Sequence, residues 1–210
     1  MRSTNNKLLI SVCASLFLIF LLFLFPALDN GIVGGISNLR SDGLDRAMDW
    51  VTNIGSGIVI FFIITALFLY EERKRKWIIP LWLSFALASL ITLALKLLVA
   101  RERPFEILGL VSTNEFAFWD SSFPSWHAVM AFSALPVLDR EFSRIKIFWI
   151  AFALLIIFSR LYFGVHFLSD VVAGALLGYL SGFLFVRIWE NHVWKRNKAK
   201  AVGKRAHGRR

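Results

Sequence analysis

The chain has 210 residues, 57% hydrophobic and 15% aromatic, with a mean hydropathy of +0.63. That composition excludes a soluble globular domain, which needs far more polar surface around its core. Most of the formal charge of +10 lies in Lys195–Arg210, read as a solvated tail that attracts anionic headgroups rather than as a nucleic-acid site.

In chain order, the first apolar run is Leu8–Leu28, preceded by Arg2 and Lys7. A basic start imitates a signal peptide, but 21 apolar residues exceed the usual length. No small-x-small cleavage site follows Pro26-Ala27-Leu28-Asp29, so an uncleaved first membrane helix is expected. The lone Cys13 lies within it, can form no intrachain disulfide, and reads as packing. Asp29–Trp50 reads as an outer loop with a short helix around Leu44–Trp50. Further apolar runs follow at Ile54–Tyr70, Trp77–Ala100, Phe123–Leu138, Ile147–Val165 and Val171–Ile188. Crossing a bilayer takes about 20 residues, roughly 17–25. Five runs suffice; Phe123–Leu138 is short and must begin near the interface or in a protein cavity. The expectation is an all-α membrane protein, one domain over residues 1–210, with six transmembrane helices in one bundle and a basic tail at 189–210.

Orientation follows from charge. Segments 1–7, 71–76, 139–146 and 187–210 carry 18 of the 24 Lys and Arg residues. Positive loops stay cytoplasmic, which puts both termini inside. Arg101–Ser122 and Gly164–Ser169 then become outer connections. On the sixth run Gly174, Gly178 and Gly182 recur every four residues, a stripe that lets another helix approach closely. Packing within the chain is its expected use.

Three fragments carry chemistry, and all fall on the outer side. In Ser159–Asp170, Arg160, His166 and Asp170 stand among apolar residues; ionisable groups there mark a working site unless shown otherwise. Asp170 follows His166 at i+4, a contact spacing if the backbone is helical. A carboxylate on one ring nitrogen orients the imidazole and leaves the other free to attack. Pro124-Ser125-Trp126-His127 opens a helix; N–H groups of Ser125 or its neighbours would form an anion site, and His127 could protonate a leaving oxygen. Lys96, Arg103 and Arg160 could converge on one phosphate, although Arg101 and Arg103 also read as hydrated loop residues and Lys96 as snorkelling. The loop acids Glu102, Glu106, Glu115 and Asp120 lack metal-ligand spacing, which favours a mechanism with no metal and no cofactor. Phe116, Phe118, Trp119 and Phe123 read first as an interfacial aromatic belt and second as a substrate-tail groove.

Lys-x6-Arg-Pro at Lys96–Pro104, Pro-Ser-x-His at Pro124–His127 and Ser-Arg-x5-His-x3-Asp at Ser159–Asp170 resemble the three-part signature of the type-2 phosphatidic acid phosphatase superfamily. The order and spacing match, and six spans match its membrane branch rather than the soluble vanadium haloperoxidases. The resemblance implies His166 as nucleophile through a phosphohistidine, Asp170 orienting it, and His127 as acid and then base. It implies Lys96, Arg103, Ser125, Trp126 and Arg160 as phosphate binders. One position departs: Trp126 stands where that family usually has glycine. A backbone N–H survives the change, but pocket shape does not follow from the family.

The expected function is an integral-membrane phosphatase, with its site on the outer face of the cell membrane, removing the terminal phosphate of a lipid. Its partners are then a lipid phosphate and membrane lipids, with no nucleic acid. Polyprenyl diphosphate is preferred over phosphatidic acid and phosphatidylglycerol phosphate. Two alternatives stand beside it: a lipid phosphotransferase using an alcohol in place of water, and a non-enzymatic membrane transporter. The transporter accounts for buried charge but not for three ordered motifs.

Overall fold

Pro26 breaks the first apolar run into two helices, α1 (Arg2–Leu24) and α2 (Pro26–Ser37), bent by 93°. Proline has no N–H and crowds the preceding turn, and Phe25 before it leaves the helical region at φ −121°, ψ 73°. Leu8–Leu28 is therefore not one straight span. In this computed structural model, residues 2–110 and 121–207 are described, with side chains at 9, 12–110 and 121–193. Ser112, Glu115, Phe116, Phe118, Trp119 and Asp120 lie outside the described residues.

The short helix expected around Leu44–Trp50 is present as α3 (Asp42–Ile54), whereas the part of the expected outer loop from Asp29 to Ser37 is helical as well, within α2. Its glycines and aspartates argue weakly against helix, but tertiary contacts override propensity. Ser37 Oγ donates to the Tyr162 carbonyl at 3.2 Å. The Tyr162 hydroxyl donates to Asp45 at 2.5 Å, and Asp45 also pairs with Arg40 at 2.9 Å. This hairpin is thereby tied to the end of α9 (Ser143–Tyr162). α3 turns by 59° into α4 (Gly57–Tyr70).

A 3-10 turn over Glu72–Trp77 leads into α5 (Ile78–Val99), followed by the short α6 (Pro104–Leu108). The fourth expected span is two pieces, α7 (Trp126–Ser133) and α8 (Leu135–Glu141), with Pro136 near the start of the second. α10 (Leu168–His207) continues through the basic stretch, so the tail at 189–210 is helical to His207 rather than beyond the last helix. Among the described residues there is no strand. Three helical stretches of the described residues are long and apolar enough to cross a membrane: Glu72–Leu108, Ser143–Tyr162 and Leu168–Val193. The two bent pairs, α1 with α2 and α3 with α4, raise that number to five when each is one span. Large apolar side chains such as Ile58, Leu98 and Phe148 face outward, as expected of a multi-pass membrane protein.

The glycine stripe packs within the chain, as expected. A Cβ on Gly174 would stand 2.6 Å from the Ser125 carbonyl, and one on Gly178 or Gly182 would strike the carbonyls of Val129 or Ser133. α10 thus lies directly on α7, and its N-terminal end is held against the start of that helix. Gly178→Leu should lower the Tm in detergent by the equivalent of about 1–3 kcal/mol, because backbone cannot move aside as a side chain does. Gly31→Ala, where nothing among the described residues lies within 4 Å of the added methyl, should leave Tm unchanged or raise it. Equal losses in the two variants would remove the packing argument.

Candidate active site

The site is assembled at helix ends. Lys96 occupies the last turn of α5, and its ammonium donates to the Ser121 carbonyl, while Ser121 Oγ donates to the Lys96 carbonyl at 2.9 Å. Arg103 precedes α6 and donates from Nη1 to the Val165 carbonyl at 2.9 Å. Arg160 sits in the last turn of α9 and donates to Thr52 Oγ1 at 3.3 Å; that hydroxyl also meets Ser159 Oγ at 2.7 Å. All three cations are buried. Backbone bonds stitch the fragments together: Phe105 N–H to the Gly164 carbonyl at 2.9 Å, Ser122 N–H to Arg101 at 2.9 Å, and Ser125 N–H to Asp170 at 3.1 Å. Gly164 turns the chain at φ +62°, a region that favours glycine.

His166 lies in the connection between α9 and α10, almost fully buried. Its Nδ1 meets the Ser122 carbonyl at 2.7 Å, whereas the Asp170 carboxylate is at 3.6 Å. The expected His–Asp contact is therefore close but not a hydrogen bond, and the main-chain carbonyl is the nearer partner. A carbonyl only accepts, so Nδ1 carries the proton and Nε2 keeps its lone pair. Burial first, then the fields of Arg103, Arg160 and Lys96, hold this imidazole well below the ordinary histidine pKa, against a smaller upward pull from Ser122. The ring is neutral at pH 7. His127 stands in the first turn of α7, half-buried. The charges that act on it are those of Arg160, Arg103 and Lys96. Both histidines and all three expected cations are thus brought together.

Ser125 and Trp126 stand where the expected anion site begins, with two changes. The Ser125 N–H is taken by the Asp170 carbonyl, so it is not among the outward donors. The first-turn N–H groups of α7, from Trp126 to Ala128, are those that helix geometry leaves without intrahelical acceptors. Ser125 Oγ is buried with no hydrogen-bond partner among the described residues. The Trp126 indole points away into an apolar crevice of about 350 Å³ between α4, α5 and α7, lined also by Gly57, Ile58, Phe61, Trp82 and Phe85. Gly57 makes room for it, since a Cβ there would collide with the indole Nε1. Among the described residues no cluster of three or more His, Cys, Asp or Glu could hold a metal ion.

Sequence reasoning missed four participants. Ser122 acts through its carbonyl, which no residue type announces. Thr52 comes from α3, far from every motif. Arg101, read as a candidate hydrated loop residue, instead pairs with Asp170 at 2.7 Å and with Asp29 at 3.1 Å. The available signal was Asp29 itself, an acid at the end of an apolar run that wants a cation nearby.

Comparison with known proteins agrees with this geometry. Residues 77–194 match the PAP2 superfamily. The undecaprenyl-diphosphatase of Sulfolobus acidocaldarius is 31% identical over 187 residues, covering 81% of this chain and 89% of that protein. The crystal structure of the Aquifex aeolicus LpxE matches with a TM-score of 0.61 at 32% identity, covering 75% of this chain and 93% of that one. The first transmembrane PAP2 type phosphatidylglycerolphosphate phosphatase from Bacillus subtilis matches with a TM-score of 0.71 over 87% of this chain and 96% of that one. At 24% identity that last likeness speaks for the fold alone. With more than half the chain matched and all three motifs gathered at one end of the helices, the protein belongs to the PAP2 superfamily, as an enzyme of its membrane phosphatases.

Proposed function

We propose that this protein hydrolyses the terminal phosphate of a membrane lipid through a phosphohistidine at His166, without a metal or cofactor. The observation that carries the reading is the Nδ1 contact of His166 with the Ser122 carbonyl at 2.7 Å, which leaves Nε2 as the nucleophile among three cations and a second histidine. Nε2 attacks the terminal phosphorus while its bond to the leaving oxygen breaks, an oxygen of the lipid alcohol in a monophosphate or of the inner phosphate in a diphosphate, and His127 gives that oxygen its proton. His127 then takes a proton from water; the water oxygen attacks phosphorus, the P–N bond breaks, and phosphate leaves. Lys96, Arg103, Arg160 and the Ser125–Trp126 start of α7 hold the phosphoryl oxygens and their transition-state charge. The buried Ser125 Oγ suits a phosphate oxygen. Asp170 supports the imidazole as it becomes positive. Polyprenyl diphosphate is the preferred substrate, a choice favoured by the likeness to the Sulfolobus acidocaldarius undecaprenyl-diphosphatase.

The whole chain, 1–210, acts as one domain with six spans, α7 and α8 together forming the short fourth. Both termini are cytoplasmic and the site opens on the outer face, a reading that rests on the distribution of Lys and Arg.

Four outcomes are expected. Purified protein in excess chelator should release inorganic phosphate from a panel of lipid phosphates, fastest from polyprenyl diphosphate; a new phosphodiester as product would mark a phosphotransferase instead. On acid quench, His166→Ala should carry no label. His127→Ala should lose about 10²–10⁴-fold in turnover, yet accumulate label with a substrate whose leaving group needs no proton. Label retained by His166→Ala overturns the mechanism. Thr52→Val keeps the shape but removes one hydrogen-bond partner of Arg160, and should lower kcat/KM roughly tenfold; parental kinetics would detach α3 from phosphate binding. Finally, a reporter fused after Arg210 should be cytoplasmic and one inserted near Ser112 external, and finding both on one side would refute the outward-facing site.

A further inference from the structure

Asp29 is fully buried in the first turn of α2, outside residues 77–194 and outside every motif. Its Oδ1 accepts the Ser169 N–H at 3.3 Å, and its Oδ2 accepts the Ser169 hydroxyl and Arg101 Nη2, the latter at 3.1 Å. Arg101 Nη1 donates to Ser169 Oγ at 2.6 Å and to Asp170 Oδ1 at 2.7 Å. Its guanidinium lies over the Phe167 ring at 3.9 Å and the Phe23 ring at 4.6 Å. The other Asp170 oxygen accepts the Phe167 N–H at 2.8 Å and is the one 3.6 Å from His166 Nδ1.

We propose that Asp29 and Arg101 are positioning residues that act on His166 through Asp170, with Asp29 keeping the cluster beside the nucleophile net negative. The proposal rests on the phosphohistidine reading above. Two buried carboxylates are costly unless paired, and one guanidinium bridges both. Arg101 is thereby committed to carboxylates and is not a phosphate ligand, unlike Arg103 two residues on. The geometry is fixed at both Asp170 oxygens, by Arg101 on one and by the Phe167 N–H on the other. The Ser169 and Phe167 N–H groups belong to the start of α10, whose dipole favours both anions. Charge counting adds the second part. Arg101 alone would cancel Asp170, leaving no negative field for an imidazole that turns positive on phosphorylation. Asp29 supplies the second carboxylate, so the three groups sum to one negative charge on the Nδ1 side of His166. An N-terminal hairpin beyond the matched region thus completes the site.

The test is steady-state kinetics and acid-quenched label on the full-length protein, with Tm as a control for folding. The parent is measured first: absence of label on His166 there fails the phosphohistidine reading and this proposal with it. Given label on the parent, Asp29→Asn keeps size and an acceptor oxygen but removes the charge. It should lower kcat and the rate of label formation about tenfold, with KM within threefold, the scale on which groups behind a primary ligand act. Arg101→Leu should lose about 100-fold in kcat, and Arg101→Lys should recover much of it. Arg101→Leu leaves two buried carboxylates unpaired and endangers folding, so Asp29→Asn carries the decision. A parental kcat in Asp29→Asn, with only Tm reduced, makes Asp29 a structural anchor and overturns the proposal. A rise in KM at constant kcat in Arg101→Lys makes Arg101 a phosphate ligand and overturns it equally.

Discussion

The reactive end of this protein depends on the start of α10, where two fully buried carboxylates, Asp29 and Asp170, share one guanidinium. Burying an ion costs several kcal/mol unless its partners are in place, so this cluster tolerates little displacement. Its members come from α2, the α5–α6 connection and α10. Satisfying their charges fixes three parts of the chain against one another. The same constraint sets His166, which lies between the Arg160 end of α9 and the Asp170 start of α10. The backbone bond from Ser125 to Asp170 brings α7, and His127 with it, to the same place.

Close helix approach does the rest. Gly174 leaves room for the Ser125 carbonyl and Gly178 for that of Val129, so α7 lies on α10 at backbone contact. The cations are brought in from three directions, yet each hangs from a helix end: Lys96 on α5, Arg103 before α6, Arg160 on α9. Long side chains at helix ends can reach a common point while their helices stay packed on apolar faces. That arrangement lets buried cations cluster at one end of a body that turns many Ile, Leu and Phe side chains outward.

Much of this was legible in the sequence, and the illegible parts share a cause. The motifs reveal His127, His166, Lys96, Arg103 and Arg160 because an ionisable residue in apolar surroundings is costly and persists where it has work to do. The glycine period reveals the packing of α10 because four-residue spacing repeats on one helix face. Pro26 is a legible signal for the bend at Phe25, since proline breaks a helix however long the apolar run around it. The helix around Leu44–Trp50 is legible, but the α2 half of the hairpin is not, because its glycines suggest a loop while the bond that ties its end down, Ser37 to Tyr162, comes from far along the chain. Ser122 was invisible for a stricter reason: it contributes a main-chain carbonyl, and any residue has one.

Trp126 shows how one departure from a family pattern can be absorbed. The superfamily signature named from the motifs usually carries glycine there, which suggests that a large side chain would crowd the phosphate. The structure resolves the conflict by separating backbone from side chain. The N–H of residue 126 belongs to the first turn of α7 whatever its side chain, so the substitution leaves that donor in place. The indole turns instead toward α4, into space that Gly57 leaves open. There it joins an apolar crevice with Phe61, Trp82 and Phe85, on the residue immediately before His127. A substitution at this position therefore acts on the apolar wall beside the site rather than on its charges. One residue thus contributes to the proposed phosphate site through its backbone and to the apolar crevice through its side chain.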